Sequence, residues 1–430
     1  MLGLARAWVR GRRGLLGCGL LGLAGLIGCH SKEVAPSART EVRIGGTLPL
    51  TGAESKVGGF FKEGYDLAFE EVERAGGLNL AGKKLKVSLE LLDDTSTRAT
   101  AVSLADKLIN SDKVDFLLGT YSTPLVQAQS TVAEQNKVPY VSGGGAATEI
   151  YSRNYQYLFG LAAPVELLGD TLMQWIDRQQ QAGKLPKPSR IALVWENTAH
   201  GKDFRRGVSE FARKTGGRYE LVVDEPFELN GKDFGALLGK VKAASADLFL
   251  ADAHLPDFIT MQRQYVSAGL CHQLVSYGAR GAEKGALEAL GAENVGYILS
   301  AVWWSSGLAE KNALAKQFLD AFQARYHHQP DWYQAFAYES ARALFHAIEA
   351  AGSVDREQVR AQLERLELPS LNPSGTLTFP KEFGHQSHNP FVVQQNLPDG
   401  SSPIVYPDTV ATGTGIAPNP RCAPRPQVVH

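Results

Sequence analysis

The feature that most constrains this chain is an alternation of short apolar segments with segments whose apolar residues recur every three or four positions. It runs twice. In the first run, Val42-Arg43-Ile44 leads into a helix marked by Phe61, Tyr65, Ala68, Phe69 and Val72. Residues 85–91 alternate as a strand, and Ala101, Leu104, Ala105, Leu108 and Ile109 mark the next helix. A short apolar strand over 115–118, a helix over 125–135 and a strand over 138–141 complete the run. The pattern restarts after Pro164, with helices over 165–180, 202–214, 233–243, 257–268 and 283–290. Strands over 190–195, 219–223, 247–251, 273–277 and 296–301 lie between and after them. Strands alternating with helices of this length form right-handed βαβ units, so the fold class is α/β with a mostly parallel sheet in each half. Three helices follow near 308–326, 332–350 and 355–366, then short strands over 375–379 and 403–406. Beyond Pro407, Gly, Pro, Thr and Ala dominate, and residues 408–430 read as a disordered tail.

The first 28 residues belong to neither series. They carry Arg6, Arg10, Arg12 and Arg13, no acidic residue, and a Gly/Leu/Ala run from Gly14 to Ile27. A basic start, a short apolar stretch and a small residue before a cut describe a secretory signal. Leu26-Ile27-Gly28-Cys29 resembles a bacterial lipobox, in which the Cys thiol takes a diacylglycerol before cleavage. The expectation is a signal over 1–28, lipidation at Cys29 and a polar tether over 29–40. No later apolar stretch approaches the ~18 residues that a membrane span needs.

Without the four leader arginines, 40 basic residues face 45 acidic ones, a net charge near −5. A nucleic-acid footprint needs a basic face, and none is present. Cys18 leaves with the signal and Cys29 is the lipid acceptor, so Cys271 and Cys422 remain. An exported protein permits them to pair; their separation and the loose composition of the C-terminus argue that they do not.

Ligands of such sheets bind beyond the carboxyl ends of the strands, so the loops there are the candidate sites. Gly119-Thr120-Tyr121-Ser122-Thr123-Pro124 and Ser142-Gly143-Gly144-Gly145-Ala146-Ala147-Thr148 offer hydroxyls and backbone amides where helices begin. Helix N-termini favour anions, and a carboxylate is the natural small guest.

These segments carry a resemblance. Val42-Arg43-Ile44-Gly45 through Pro49-Leu50-Thr51-Gly52, Gly64, and Ala75-Gly76-Gly77-Leu78 resemble the opening of the branched-chain amino-acid (Leu/Ile/Val) binding protein family. Asp93-Asp94, the Gly119 loop, Val138-Pro139-Tyr140 and Gly145-Ala146-Ala147-Thr148 follow in order. Tyr326, Pro330, Tyr333, Tyr338, Ala350-Ala351-Gly352-Ser353, Gly375 and Val392-Val393-Gln394-Gln395 resemble its later helices and closing strands. The similarity spans roughly 41–407. It implies a two-lobed type I periplasmic-binding fold with three crossovers, with residues 41–163 and about 298–370 in one lobe. Residues 164–297 and about 371–407 would form the other. It also implies a binding protein that performs no chemistry, needs no cofactor, and delivers solute to ABC permease subunits.

By the same resemblance, Ser122 with Ala146, Ala147 and Thr148 holds the ligand carboxylate, beside Tyr121. His200 stands where the family has a Tyr, before Gly201. Tyr277-Gly278-Ala279-Arg280-Gly281 departs further, because Arg280 stands where the family places a Glu for the ligand's ammonium. A buried ammonium without an acidic partner is costly. Either Asp252 or Glu196 takes that role, or the ligand lacks an ammonium and Arg280 meets a second carboxylate or other anion. Trp303 is expected to line the cleft, while Trp332 and Tyr333 read as core. Two other classes stay open: a ligand sensor of the same fold, and an exported α/β enzyme. Against the enzyme, there is no Gly-x-Ser-x-Gly elbow, no His/Cys metal spacing and no phosphate loop.

Overall fold

The computed structural model describes residues 39–422. The expected signal, the lipidation site Cys29 and all but the end of the tether lie outside the described residues. Two sheets organise the rest. The first comprises β1 (Glu41–Leu48), β2 (Leu78–Leu80), β3 (Lys83–Asp93), β4 (Phe116–Leu118), β5 (Tyr140–Ser142) and β6 (Leu158–Gly160), in the order β2-β3-β1-β4-β5-β6. All its pairings are parallel except that of β2 with β3. The second sheet begins with β7 (Ser189–Glu196), β8 (Tyr219–Phe227), β9 (Leu248–Asp252), β10 (Leu274–Ser276) and β11 (Ile298–Val302). After a two-stranded ribbon of β12 (Leu368–Pro369) and β13 (Thr376–Leu377), it is completed by β14 (Val392–Gln395) and β15 (Ile404–Tyr406), giving the order β15-β14-β11-β10-β9-β7-β8.

Parallel sheets are covered on both faces, so their strands read as unbroken apolar runs. In β7, Ile191, Ala192, Leu193 and Val194 are all buried, and β9 is buried throughout. Helix Ser55–Arg74 covers the first sheet with Val57, Phe61, Tyr65, Leu67 and Ala68. Helix Trp332–Ala351 packs against it, with the rings of Phe69 and Phe345 4.9 Å apart. A Cβ on Gly64 would collide with the Gln334 carbonyl oxygen, so glycine lets these two helices approach so closely.

The chain passes from one sheet to the other three times: after β6, after β11 and before β14. The expected start of the return at about residue 298 needs correction. β11 pairs with β10 and with β14, so it completes the second sheet, and the crossing comes after Val302. A buried strand needs a hydrogen-bonded neighbour on each side, and the second sheet supplies both. The three-residue β2 and β6 were not legible as separate strands.

Residues 408–422 are not a loose tail. The Ile416 N–H donates to Gln395 Oε1 (2.7 Å), and the Asn419 N–H donates to the Gln273 carbonyl (2.7 Å). The Arg421 guanidinium lies over the Tyr297 ring. This return path brings Cys422 to Cys271, and the two form a disulfide with their Cα atoms 5.5 Å apart. The expectation of unpaired cysteines is therefore overturned. Gly- and Pro-rich sequence disfavours regular structure, but backbone bonds to a finished sheet edge hold an irregular segment equally well. Among the described residues, no helix is long and apolar enough to cross a membrane.

Candidate ligand-binding site

The carboxyl ends of both sheets face one cleft, and each contributes a wall. The first wall is fixed by Asp94. This buried carboxylate accepts from Thr47 Oγ1 at the end of β1 (2.8 Å) and from Thr120 Oγ1 after β4 (2.6 Å). Tyr65 Oη donates to the Gly119 carbonyl (2.6 Å). These bonds set the loop so that helix Thr123–Gln135 starts at Ser122, whose own side chain makes no capping bond. A Cβ on Gly144 would strike the Thr120 carbonyl oxygen, so the two loops meet backbone to backbone. The result is a cavity lining of hydroxyls and amides, with the carboxylates of Asp94 and Glu54 set behind it.

The second wall is charged. His200, at the start of helix Ala199–Lys214 beyond β7, places Nδ1 2.8 Å from Asp252 Oδ2 at the end of β9. His254, two residues beyond β9, places Nδ1 2.6 Å from Glu54 Oε1, which belongs to the loop after β1 on the opposite wall. Its Nε2 lies 3.5 Å from Glu196 Oε1, which also accepts from Thr198 Oγ1 (2.7 Å). Arg280, beyond β10, donates from Nη2 to Tyr121 Oη across the cleft (3.0 Å) and lies over the rings of Trp332 and Tyr333.

The cavity between the walls is very small, about 10 Å³, and is lined by Tyr121, Ser122, Thr123, Gly143, Gly144, Ala146, Ala162, His200, His254, Arg280, Trp303 and Trp332. Of the expected residues, it therefore gathers Tyr121, Ser122, Ala146, His200, Arg280 and Trp303. Ala147, Thr148 and Asp252 do not line it. Ala147 is fully buried. Thr148 lies on a groove near the crossovers, its N–H taken by Asp203 Oδ2 from the second lobe (2.7 Å). Asp252 stands behind His200 because the imidazole occupies the space between the carboxylate and the cavity.

Among the lining residues, His254, Trp332 and Ala162 were missed. His254 follows β9 as His200 follows β7, so the carboxyl-end rule that selected one would have selected the other. Trp332 was read as core. It opens a helix of the first lobe, and only the packing of the crossovers brings its ring onto Trp303 (4.7 Å) and Arg280. Trp304 packs on Phe318 instead. Arg280 is buried, not a surface charge.

The electrostatics follow from burial and pairing. Burial alone would raise the Asp252 carboxyl, but His200 and then Arg280 outweigh it and hold it below its ordinary range. Burial would depress His254, but Glu196 and Glu54 raise it to about 9, so it is charged at neutral pH. Burial pushes the Glu283 carboxyl up to about 8 despite Arg280 3.8 Å away, which leaves it neutral at pH 7. Glu196, His200 and Asp252 bring donor atoms within 4.8 Å of one another. The His200–Asp252 hydrogen bond already occupies two of them, and charged His254 and Arg280 oppose a metal cation there. His385, whose Nε2 lies 3.4 Å from Glu364 Oε1, is stacked on Phe159, and His388 is stacked on Phe383.

A family model described as periplasmic binding protein matches residues 41–401. Leu/Ile/Val-binding protein homolog 8 of Brucella melitensis is 25% identical over 390 residues, covering 89% of this chain and 94% of the relative. Among solved structures, a branched-chain amino acid transporter substrate-binding protein of Streptococcus pneumoniae, in complex with isoleucine, superposes with a TM-score of 0.74. It is 21% identical, over 86% of this chain and all of the other. An ABC transporter solute-binding protein of R. palustris, in complex with benzoate, gives a TM-score of 0.72 at 21% identity, over 88% and 98%.

Proposed function

The chain belongs to the periplasmic binding protein family, whose members bind ligands without transforming them, and we propose that it captures a small carboxylate for an ABC permease. The observation that carries this reading is the cavity itself. Its first wall presents Ser122 and a helix N-terminus, where an anion is stabilised by N–H groups and the helix dipole. Tyr121, Ser122, Ala146, His200, Arg280 and Trp303 are the ligand-facing residues in this reading. Thr148 and Asp252 act behind them, Thr148 by holding the lobes together through Asp203 and Asp252 by orienting His200. Closure of the two lobes traps the guest, a hinge motion at the three crossovers.

The protein is exported, cleaved after Gly28 and held to the membrane by lipid on Cys29. The relatives above carry names of amino-acid binders, and the benzoate complex shows a carboxylate without an ammonium held by a protein of this fold. Because ligand binds the native state alone, it raises thermal stability. A thermal-shift screen of amino acids and carboxylates at millimolar concentration tests capture: one class of solute raises the melting temperature, and no shift with any of them would refute the reading. Cys29→Ala releases the protein from membranes into the soluble fraction if lipid is its tether.

A further inference from the structure

We propose that Arg280, helped by His200, clamps a second acidic group of the ligand, so that the solute this cleft selects is a short dicarboxylic acid. The inference rests on the capture reading and sharpens it from carboxylate to diacid.

The cavity holds buried donors that the protein does not use. Arg280 is 2% exposed and lines the cavity. Its Nη2 is committed to Tyr121, while Nε and Nη1 have no hydrogen-bond partner among the described residues. Guanidinium N–H groups left unpaired in a buried site are costly, and a carboxylate is the acceptor their geometry and charge fit. Glu283 does not fill the role. Its Oε1 accepts from Trp332 Nε1 (3.1 Å) and Tyr333 Oη (2.9 Å), and its nearest approach to Arg280 is the 3.8 Å contact with Nη1. Its carboxyl, raised to about 8, also carries no charge at pH 7 with which to neutralise the guanidinium.

His200 adds a second unused group. Its Nδ1–H donates to Asp252 Oδ2 (2.8 Å), and Nε2 is buried without a hydrogen-bond partner among the described residues. As a lining residue, His200 gives the anion a second contact beside Arg280.

The remaining features disfavour an amino acid. No carboxylate lines the cavity; Asp252, Glu196 and Glu54 all stand behind the two histidines. An ammonium placed here faces charged Arg280 and His254. A diacid instead sets one carboxylate at Ser122 and the other at Arg280.

The test is calorimetric titration at pH 7 of the wild type and Arg280→Gln with succinate, glutarate, butyrate, valerate and leucine. In the wild type, succinate or glutarate binds at least about tenfold tighter than butyrate, valerate and leucine, the margin of one charge-assisted bond. In Arg280→Gln that margin disappears. Should Arg280→Gln fail to fold, Arg280→Lys, which keeps the charge but loses the guanidinium fork, decides the matter by a reduced margin. Butyrate, valerate or leucine equalling both diacids, or an undiminished margin in Arg280→Gln or Arg280→Lys, overturns the diacid clamp while leaving capture standing. Binding of none of the five overturns the clamp; capture itself then falls only if the broader thermal-shift screen is also blank.

Discussion

The two walls of the cleft occupy equivalent places at the ends of two parallel sheets, yet they are built by opposite means. The first has a neutral lining made largely of backbone and hydroxyls, with glycines permitting close approach and Asp94 tying its loops together. Nothing in it needs to change protonation to work. The second is made of long ionisable side chains, His200, His254 and Arg280, and two of them are oriented by a carboxylate behind: Asp252 for His200 and Glu54 for His254. Its geometry therefore depends on where protons sit, and Glu54 belongs to the opposite lobe. A site of this kind separates a generic carboxylate grip from a tunable wall that sets specificity.

The second lobe is also the stapled one, which gives the sharpest way to break the comparison. The Cys271–Cys422 disulfide closes a sequence separation of 151 residues. Removing it by Cys271→Ser with Cys422→Ser should cost about 5 kcal/mol by chain-entropy reasoning. Denaturant unfolding followed at Trp195, on β7, measures it, and an unchanged midpoint would mean that the C-terminal segment does not brace this lobe.

Next in size is Asp252→Ala. It leaves His200 buried without its partner, and breaking a buried pair in this way costs about 3–5 kcal/mol. Removing a hydroxyl from the neutral wall has no such penalty, so melting curves of Asp252→Ala and Ser122→Ala should differ by that amount. Equal curves would erase the distinction between the walls.

The third prediction concerns pH. His254 is raised from its ordinary value of 6.5 to about 9 by Glu196 and Glu54 against the opposing effect of burial. A raised histidine contributes stability that is complete below pH 6.5 and is lost as pH rises through about 9, on the order of 3 kcal/mol. Melting temperature should fall across that window, and Glu54→Gln should shrink the fall. A profile flat from pH 6.5 to 9.5 would show that this cross-cleft pair stabilises nothing.

The smallest effect belongs to the neutral wall. Ser122→Ala removes one hydroxyl that faces the cavity, worth about 1 kcal/mol or roughly fivefold in affinity. Thr148→Ala, whose hydroxyl is buried, unbonded and off the cavity, should leave the affinity unchanged. Titration of both variants with the best-bound solute checks this, and a larger loss in Thr148→Ala would move the carboxylate grip toward the crossovers.

Much of the fold was legible because its signals are local. The apolar run of β7, the 3–4 spacing of Phe61, Tyr65 and Ala68, and the glycine loops after β4 and β5 each depend on residues within one element. Ser122, His200 and Arg280 could be located because position at a strand's carboxyl end follows from βαβ order. β11 shows the limit: its sequence says strand, but its sheet is set by pairing with β14, some ninety residues later.

The alternation, the two sheets and the loops that face the cleft are written locally in the residues, because side-chain periodicity and turn chemistry act over a few positions. Only the tertiary structure decided which groups meet. It set Glu54 of one lobe on His254 of the other, put Asp252 behind His200, turned Trp332 from core to cavity wall, and carried Cys422 back to Cys271. These contacts join residues far apart in sequence, and no local preference encodes them. They depend on closing the lobes together, on the carboxylates that raise His254 against its burial, and on the burial that raises Glu283 and leaves Nε and Nη1 of Arg280 without a hydrogen-bond partner among the described residues.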